Sequence, residues 1–496
     1  MGKYIVALDE GTTSARSVLI DHEGAIVGQA QREFTQHYPH PGWVEHDAAE
    51  IADVQLGTFA ELLESHGLTA ADIDSIGITN QRETTVVWNR ETGEPIAHAI
   101  VWQCRRTASI VDALCSDPDV SASITAKTGL IPDAYFSASK IKWLLDNVEG
   151  AHELAEAGKL AFGTIDTWLV WKLTDGEVHA TDPTNASRTM LFDIHRMAWD
   201  EELCNLFGIP MSMLPEVRPS SGDFGVTACD GIPAGIPIRG VAGDQQSALF
   251  GQCCFEPGQA KNTYGTGCFL LMNTGNEAPV SKNGLVTTVA ASAPLRGPEY
   301  AVEGSVFIGG ALIQWLRDGL HLIESAPETE AIARSVPSTD GVYVVPAFTG
   351  LGAPYWDSEA RGAIYGLTRG TTTAHIVRAA LEALAYQVYD LVKAMEMDAG
   401  MPLKVLNVDG GASANDFLMQ FQSDILSTPL RRPENVETTA LGAAYLAGLA
   451  TGFWKSLDDL RALRSSDDTY LPDKDDERLA SRLAGWQRAV GRTKSR

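Results

Sequence analysis

The chain has no excess of positive charge, no paired-cysteine motif and no long apolar run, and each gap excludes something. With 38 basic against 64 acidic residues the formal net charge is −26. A surface of that sign opposes sequence-independent nucleic-acid binding, which needs cations to replace counterions, and is repelled by anionic lipid headgroups. Seven cysteines form an odd set with no C-x-x-C and no Cys/His ladder. That pattern speaks against structural zinc and a disulfide framework, and for buried thiols in a reducing, cytoplasmic setting. The longest uncharged run, 438–454, is rich in Gly, Ala and Thr and too short to insert stably across a bilayer; it reads as a closely packed internal helix. No secretion signal precedes the first apolar run, and Val6 stands where a myristoylation motif needs Ser or Thr. The G-x-x-x-x-G-K-[ST] loop, the G-x-G-x-x-G fingerprint and the protein-kinase H-R-D and D-F-G set are missing too. If such a chain handles ATP, it does so by another architecture.

What is present is an ordinary globular composition, 44% apolar over 496 residues, which calls for two large domains or three smaller ones. Ile5-Val6-Ala7-Leu8-Asp9-Glu10-Gly11-Thr12-Thr13-Ser14-Ala15-Arg16, continuing into Ser17-Val18-Leu19-Ile20, reads as strand, tight polar turn, strand. Such a turn aims backbone N–H groups, hydroxyls and one guanidinium at an anion, while Asp9 offers a carboxylate to a metal ion.

A third strand follows at 25–30, then Asp47-Ala48-Ala49-Glu50 with capping-box spacing ahead of an amphipathic helix. A strand at 73–79 breaks at Asn80-Gln81-Arg82-Glu83, and a helix starts at Lys140. Near residue 250 the order begins again: Thr263–Met272 is a second strand–Gly/Thr turn–strand, with strands at 284–290 and 300–303 and a helix carrying Gln314 and Trp315. A strand at 405–408 ends in Asp409-Gly410-Gly411-Ala412-Ser413-Ala414-Asn415, small residues that let a nucleotide approach the backbone before a helix N-terminus. The expectation is an α/β chain made of two copies of one unit, with domains at 1–250 and 251–496. Residues 456–496 read as a C-terminal helical and surface extension.

The hairpin Asp9–Arg16, the run Gly243-Asp244-Gln245-Gln246-Ser247 and the 409–415 loop resemble the nucleotide and substrate elements of the FGGY carbohydrate kinases. Asn80-Gln81-Arg82-Glu83-Thr84, Ala99-Ile100-Val101-Trp102-Gln103, Gly163-Thr164-Ile165-Asp166-Thr167-Trp168 and Gly350-Leu351-Gly352-Ala353-Pro354-Tyr355-Trp356 look like those of members that act on glycerol. The resemblance covers residues 4 to about 455. It implies two duplicated ribonuclease-H-like (actin-like ATPase) domains around an interdomain cleft, ATP and Mg2+ as cofactors, glycerol as acceptor, and a dimer or tetramer. By resemblance, Asp244 is the general base and Arg82, Glu83, Tyr135 and Gln245 bind the hydroxyls, with Trp102 and Phe269 covering the carbons. Thr12, Thr13, Ser14, Arg16, Thr266, Gly310, Gln314, Gly411 and Asn415 fall at nucleotide positions, and Asp9 holds magnesium through water. The resemblance leaves a kinase for another polyol or ketose, or a non-enzymatic actin-like switch, as the alternatives. Some bacterial members are inhibited by fructose 1,6-bisphosphate or activated by phosphorylation of a His. Residues 230–237 lack the Arg and 220–243 contain no His, so neither control is expected.

Overall fold

The computed structural model describes residues 2–464, 467–473 and 477–495, and two sheets organise it. The first contains β1 (Tyr4–Glu10), β2 (Ser14–Ile20), β3 (Ile26–Glu33), β4 (Ile73–Asn80) and β5 (Ile238–Gly243), in the order β5-β4-β1-β2-β3. The second contains β6 (Gln259–Tyr264), β7 (Cys268–Gly275), β8 (Val286–Ala290), β9 (Glu299–Val306), β10 (Val405–Asp409), β11 (Leu430–Arg432) and β12 (Asp468–Tyr470). Its order is β8-β9-β7-β6-β10-β11-β12. The helices that position the site are α1 (Ala48–Ser65), α2 (Ser137–Asn147), α3 (Asp244–Gly251), α4 (Thr373–Ala399), α5 (Asp416–Leu426), α6 (Thr438–Thr451) and α7 (Leu479–Thr493).

Both sheets contain the same five-strand unit. β1 pairs antiparallel with β2 and parallel with β4; β2 is antiparallel to β3 and β4 parallel to β5. β6 repeats this arrangement with β7 and β10, as do β7 with β9 and β10 with β11. The expected duplication is present in strand order and direction. The strand expected at 284–290 is an addition to the unit: β8 lies outside β9, and β9 is the counterpart of β3.

Burial on both faces explains why β1 is continuously apolar. Val6 and Leu8 pack with Ile51 and Phe59 of α1, whereas Ile5 and Ala7 pack with Ala440, Ala444 and Ala447 of α6. The Gly/Ala-rich run is therefore a buried helix, as its composition predicts, and it lies against the first sheet although it comes late in the chain. The glycines set its distance. A Cβ on Gly442 would stand 1.9 Å from the Ser247 carbonyl oxygen of α3, and one on Gly77 of β4 would stand 2.2 Å from the Ala443 carbonyl oxygen.

Three local expectations need correction. Asp47 caps α1 by accepting from the Ala49 and Glu50 N–H groups, but Glu50 accepts from Thr35 N–H and Oγ1 instead of closing a box. α2 starts at Ser137, three residues before the predicted Lys140, because the chain turns in at Phe136. The C-terminal segment is more than surface. β12 extends the second sheet beside β11, and α7 buries Trp486 in a stack with Tyr386 of α4.

Candidate active site

The first hairpin closes with Gly11 N–H donating to the Ser14 carbonyl at 3.0 Å. Thr13 is exposed, and the Thr12 hydroxyl oxygen accepts from the Trp102 indole N–H at 3.0 Å. Arg16 reaches two carboxylates, Asp9 and Glu437, each at 2.6 Å. Its charge is shared before any phosphate arrives. Asp9 is raised by burial against the pull of Arg16, with Glu437 and Asp244 adding to the rise. Glu10 is held well above its ordinary range by burial, and its side chain accepts from Gln81. Gln81 N–H also bonds the Glu10 carbonyl at 2.7 Å, which fixes the 80–84 loop to the hairpin.

That loop carries Arg82 and Glu83, both almost fully buried. Arg82 Nη1 donates to Gln246 at 3.1 Å and to Glu303 Oε2 at 2.7 Å, and Nη2 donates to Glu303 Oε1 at 2.8 Å. Three of the four Nη hydrogens have protein acceptors, so one on Nη2 remains for a ligand. Arg82 Nε lies 3.0 Å from Asp244 Oδ1. Asp244 is the first residue of α3, and its Oδ1 also accepts from Gln245 N–H at 2.6 Å. Asp244 Oδ2 has no protein partner among the described residues, and the side chain is 33% exposed while Arg82 is 3% exposed.

Glu83 adopts a positive φ of 59°, a costly conformation for a residue with a side chain. Its carbonyl is held by Ser137 Oγ at 3.1 Å, Thr85 Oγ1 at 3.1 Å and Lys140 Nζ at 3.4 Å. The fully buried Lys140 also donates to the carbonyls of Tyr135 and Phe136. Burial lowers its ammonium to about 7. One side chain thus ties the Glu83 turn to the Tyr135 turn. Arg188 Nε bonds Glu83 Oε1 at 2.5 Å, and its Nη groups reach Glu303 at 3.3 and 3.4 Å. Burial pushes Glu303 up, but Arg188 and Arg82 outweigh it and hold the carboxyl at about 2. Trp102 meets Tyr135 edge-on with ring centroids 5.6 Å apart, and Arg188 lies over the Tyr135 ring.

The second sheet presents its own row. Register places Lys261 opposite Leu271, Thr263 opposite Phe269, Phe269 opposite Ser305 and Leu271 opposite Glu303, so these residues share one face. Lys261 Nζ bonds Gln245, and at 3.0 Å the Thr263 hydroxyl; burial lowers its ammonium. Phe269 is half-buried on this face. Thr266 is exposed at the tip of the second hairpin, where the Gly309 N–H bonds its carbonyl and the Gly310 N–H bonds that of Gly265, each at 2.8 Å. Gln314 is exposed at the end of the short helix Gly310–Gln314. A Cβ on Gly411 would meet nothing within 4 Å, so its backbone is open. Asn415 differs: its Oδ1 caps α5 at Leu418 N–H, and its Nδ2 donates to Thr329. Both side-chain polar atoms serve the fold.

These surroundings fit a nucleotide and a hydrated divalent cation. The open backbone at Gly411 can follow a phosphate chain. Asp9 and Asp244 bring negative charge to one place, and the Asp244 charge adds to the rise of Asp9. Among the described residues no three His, Cys, Asp or Glu side chains converge on one metal position.

Sequence reasoning missed Arg188, Glu303, Lys140 and Lys261. Glu303 and Lys261 did leave a signal. Each is a charge inside a strand, and a charge buried that way is nearly always paired.

Residues 4–251 match the N-terminal domain, and residues 260–451 the C-terminal domain, of the FGGY family of carbohydrate kinases. The chain belongs to this family, with its duplicated actin-like ATPase fold. It is 60% identical over 493 residues to the glycerol kinase of Carboxydothermus hydrogenoformans, covering 99% of this chain and 98% of that one. It is likewise 60% identical over 491 residues to the glycerol kinase of Shewanella frigidimarina, at 98% and 97% coverage. The crystal structure of Plasmodium falciparum glycerol kinase with ADP superposes with a TM-score of 0.95 at 41% identity, covering 99% of this chain and 98% of that one. A xylulose kinase of Lactobacillus acidophilus shares the fold, at a TM-score of 0.85 and 22% identity over 99% and 96% of the two chains.

Proposed function

We propose that this chain transfers the γ-phosphoryl group of ATP to a terminal hydroxyl of glycerol, giving sn-glycerol 3-phosphate and ADP. The observation that carries the reading is the asymmetry of Asp244. Its Oδ1 accepts from Gln245 N–H and lies 3.0 Å from Arg82 Nε, while its Oδ2 has no protein partner among the described residues. A carboxylate held this way is aimed by one oxygen and takes a proton on the other.

In the reaction the acceptor hydroxyl passes its proton to Asp244 Oδ2 as its oxygen bonds to the γ-phosphorus. The bond from that phosphorus to the bridging oxygen breaks, and ADP leaves. Arg82 and Glu83 bind the other hydroxyls, Tyr135 and Gln245 complete the polar shell, and Trp102 and Phe269 enclose the carbons. A pocket that meets each hydroxyl with a buried polar group discriminates strongly against analogues that lack one. Thr12, Thr13, Ser14 and Thr266 line the phosphate path, with Gly310, Gln314 and Gly411 toward the nucleoside; Asn415 contributes by shaping that wall. Asp9 would hold magnesium, which would supply neutralising charge for the phosphates. Closing the cleft keeps water, a competing acceptor, away from the phosphoryl group.

The boundary between the two copies is proposed at residues 250–251, at the C-terminal end of α3 and ahead of β6. No helix among the described residues is long and apolar enough to cross a membrane, and all seven cysteines are free, which supports action in a reducing cytoplasm. Purified protein with Mg-ATP should release ADP only when an acceptor is supplied, and glycerol should outperform erythritol, ribulose and xylulose in kcat/KM. Preference for a ketose would replace glycerol as substrate. ADP release independent of every acceptor would overturn the kinase reading.

A further inference from the structure

Glu303 stands apart from the other groups around Arg82. Gln246, Asp244 and Glu83 all precede residue 252, whereas Glu303 projects from the middle of β9 in the second sheet. Its two carboxylate oxygens take both Nη groups of Arg82 in the fork geometry that fixes a guanidinium plane. The same two oxygens receive Arg188, which in turn holds the Glu83 carboxylate. One side chain of the second copy therefore orients the two charged residues of the first that are assigned to the hydroxyls. Glu303 is 6% exposed and Arg188 1%, so neither pairing is diluted by solvent.

The strand that carries Glu303 leads directly to the nucleotide side. β9 ends at Val306, and Gly309 and Gly310 then dock on the second hairpin through the Thr266 and Gly265 carbonyls. From Glu303 to Val306 the chain is extended and paired with β7 from Leu271 back to Cys268, and β7 itself starts at the second hairpin. A displacement of the hairpin by a nucleotide is passed along a hydrogen-bonded strand and not absorbed in a loop.

We propose that Glu303 is a positioning residue of the polyol pocket, contributed by the second copy, and that through Arg82 and Arg188 it couples polyol affinity to nucleotide binding. The inference rests on the assignment of glycerol and ATP made above. Coupling of this kind is reciprocal: if ADP tightens glycerol by some factor, glycerol tightens ADP by the same factor.

Calorimetric titration of glycerol into the intact protein, without and with saturating Mg-ADP, tests it. In the wild type the glycerol Kd should fall at least about fivefold when ADP is present, the lower end of ordinary coupling. In Glu303→Gln the Kd without ADP should rise about tenfold or more, and the ADP-dependent ratio should fall to below about twofold, within the loss expected when a charged hydrogen-bond network is broken. ADP affinity measured without glycerol should stay within about twofold, a selectivity that general damage to the fold would not produce. Removal of one member of a buried ion cluster is strongly destabilising, so Glu303→Asp is run beside it. This variant keeps the charge one methylene short and should show an intermediate Kd and an intermediate ratio. A wild type that binds glycerol with no ADP effect, or a folded Glu303 variant with wild-type Kd and ratio, overturns the proposal and leaves the kinase assignment standing. A wild type that binds no glycerol under either condition overturns both.

Discussion

Arg82 and Glu303, 221 positions apart in the chain, meet through two hydrogen bonds of 2.7 and 2.8 Å that join the first sheet's 80–84 loop to the second sheet. With the bond to Gln246 it occupies three of the four Nη hydrogens of Arg82 and leaves one. Arg82→Ala should raise the glycerol KM by about 10- to 100-fold, the value of one or two hydrogen bonds from a charged donor. The ATP KM should move by less than about threefold. Steady-state kinetics with each substrate varied in turn checks this, and equal rises in both constants would remove Arg82 from the polyol pocket.

Asp244 is tested by a change that keeps its shape. Asp244→Asn retains an oxygen for Gln245 N–H but presents an amide where Oδ2 now accepts a proton. Turnover should fall by about 10²- to 10⁴-fold, the usual contribution of a general base. ADP affinity by calorimetry and the urea midpoint should stay close to wild type. Near-normal turnover would assign proton removal elsewhere.

Lys140 predicts a different split. Lys140→Met keeps the apolar stem and removes the donor shared by the Glu83, Tyr135 and Phe136 carbonyls. Two turns that it holds together should drift apart, raising the glycerol KM about tenfold while kcat stays within about threefold. Stability should fall by about 1–3 kcal/mol, because buried carbonyls lose a partner. Unchanged glycerol KM in a destabilised protein would leave Lys140 a purely structural role.

Asp390 of α4 predicts a pH dependence of stability. It accepts from Trp486 Nε1 at 2.6 Å and Tyr355 Oη at 2.8 Å, and burial raises its pKa to about 6. The folded chain binds this proton more tightly than the unfolded chain, where a carboxyl titrates near about 3.9. The associated stability is complete below about pH 4 and is lost as pH rises through about 6. Asp390→Asn cannot titrate, so its urea stability relative to wild type should improve between pH 4.5 and 7.5, by on the order of 2 kcal/mol. A difference that stays flat across that range would assign the titration to other groups.

Local chemistry was legible where sequence neighbours create it. The two hairpins, the strand ending at Asn80 and the buried helix at 438–451 all follow from runs of adjacent residues, and so does the repeated strand order. The partners of Arg82 were not legible. Adjacent Arg and Glu read as a pair, yet Arg82 Nε lies 3.9 Å from Glu83 Oε1, and each finds its closer partner more than a hundred positions away, in Glu303 and Arg188. Long-range pairing of charges depends on how two sheets face each other, which no local pattern records. The C-terminal helix was underestimated for a related reason. Its buried positions, Trp486, Ala489 and Val490, are sparse among charges, and they matter because α4 presents Tyr386 and Asp390 to them.

The unequal placing of two carboxylates about Arg82 has a stereochemical consequence. Asp244 lies 3.0 Å from Nε and Glu83 lies 3.9 Å from the same atom, one with a free oxygen and the other locked by Arg188. Glycerol has two hydroxymethyl arms that are mirror images of each other, identical in energy until they enter a chiral environment. A pocket with a proton acceptor on one side only presents a single arm for reaction, so an achiral triol should leave as one enantiomer.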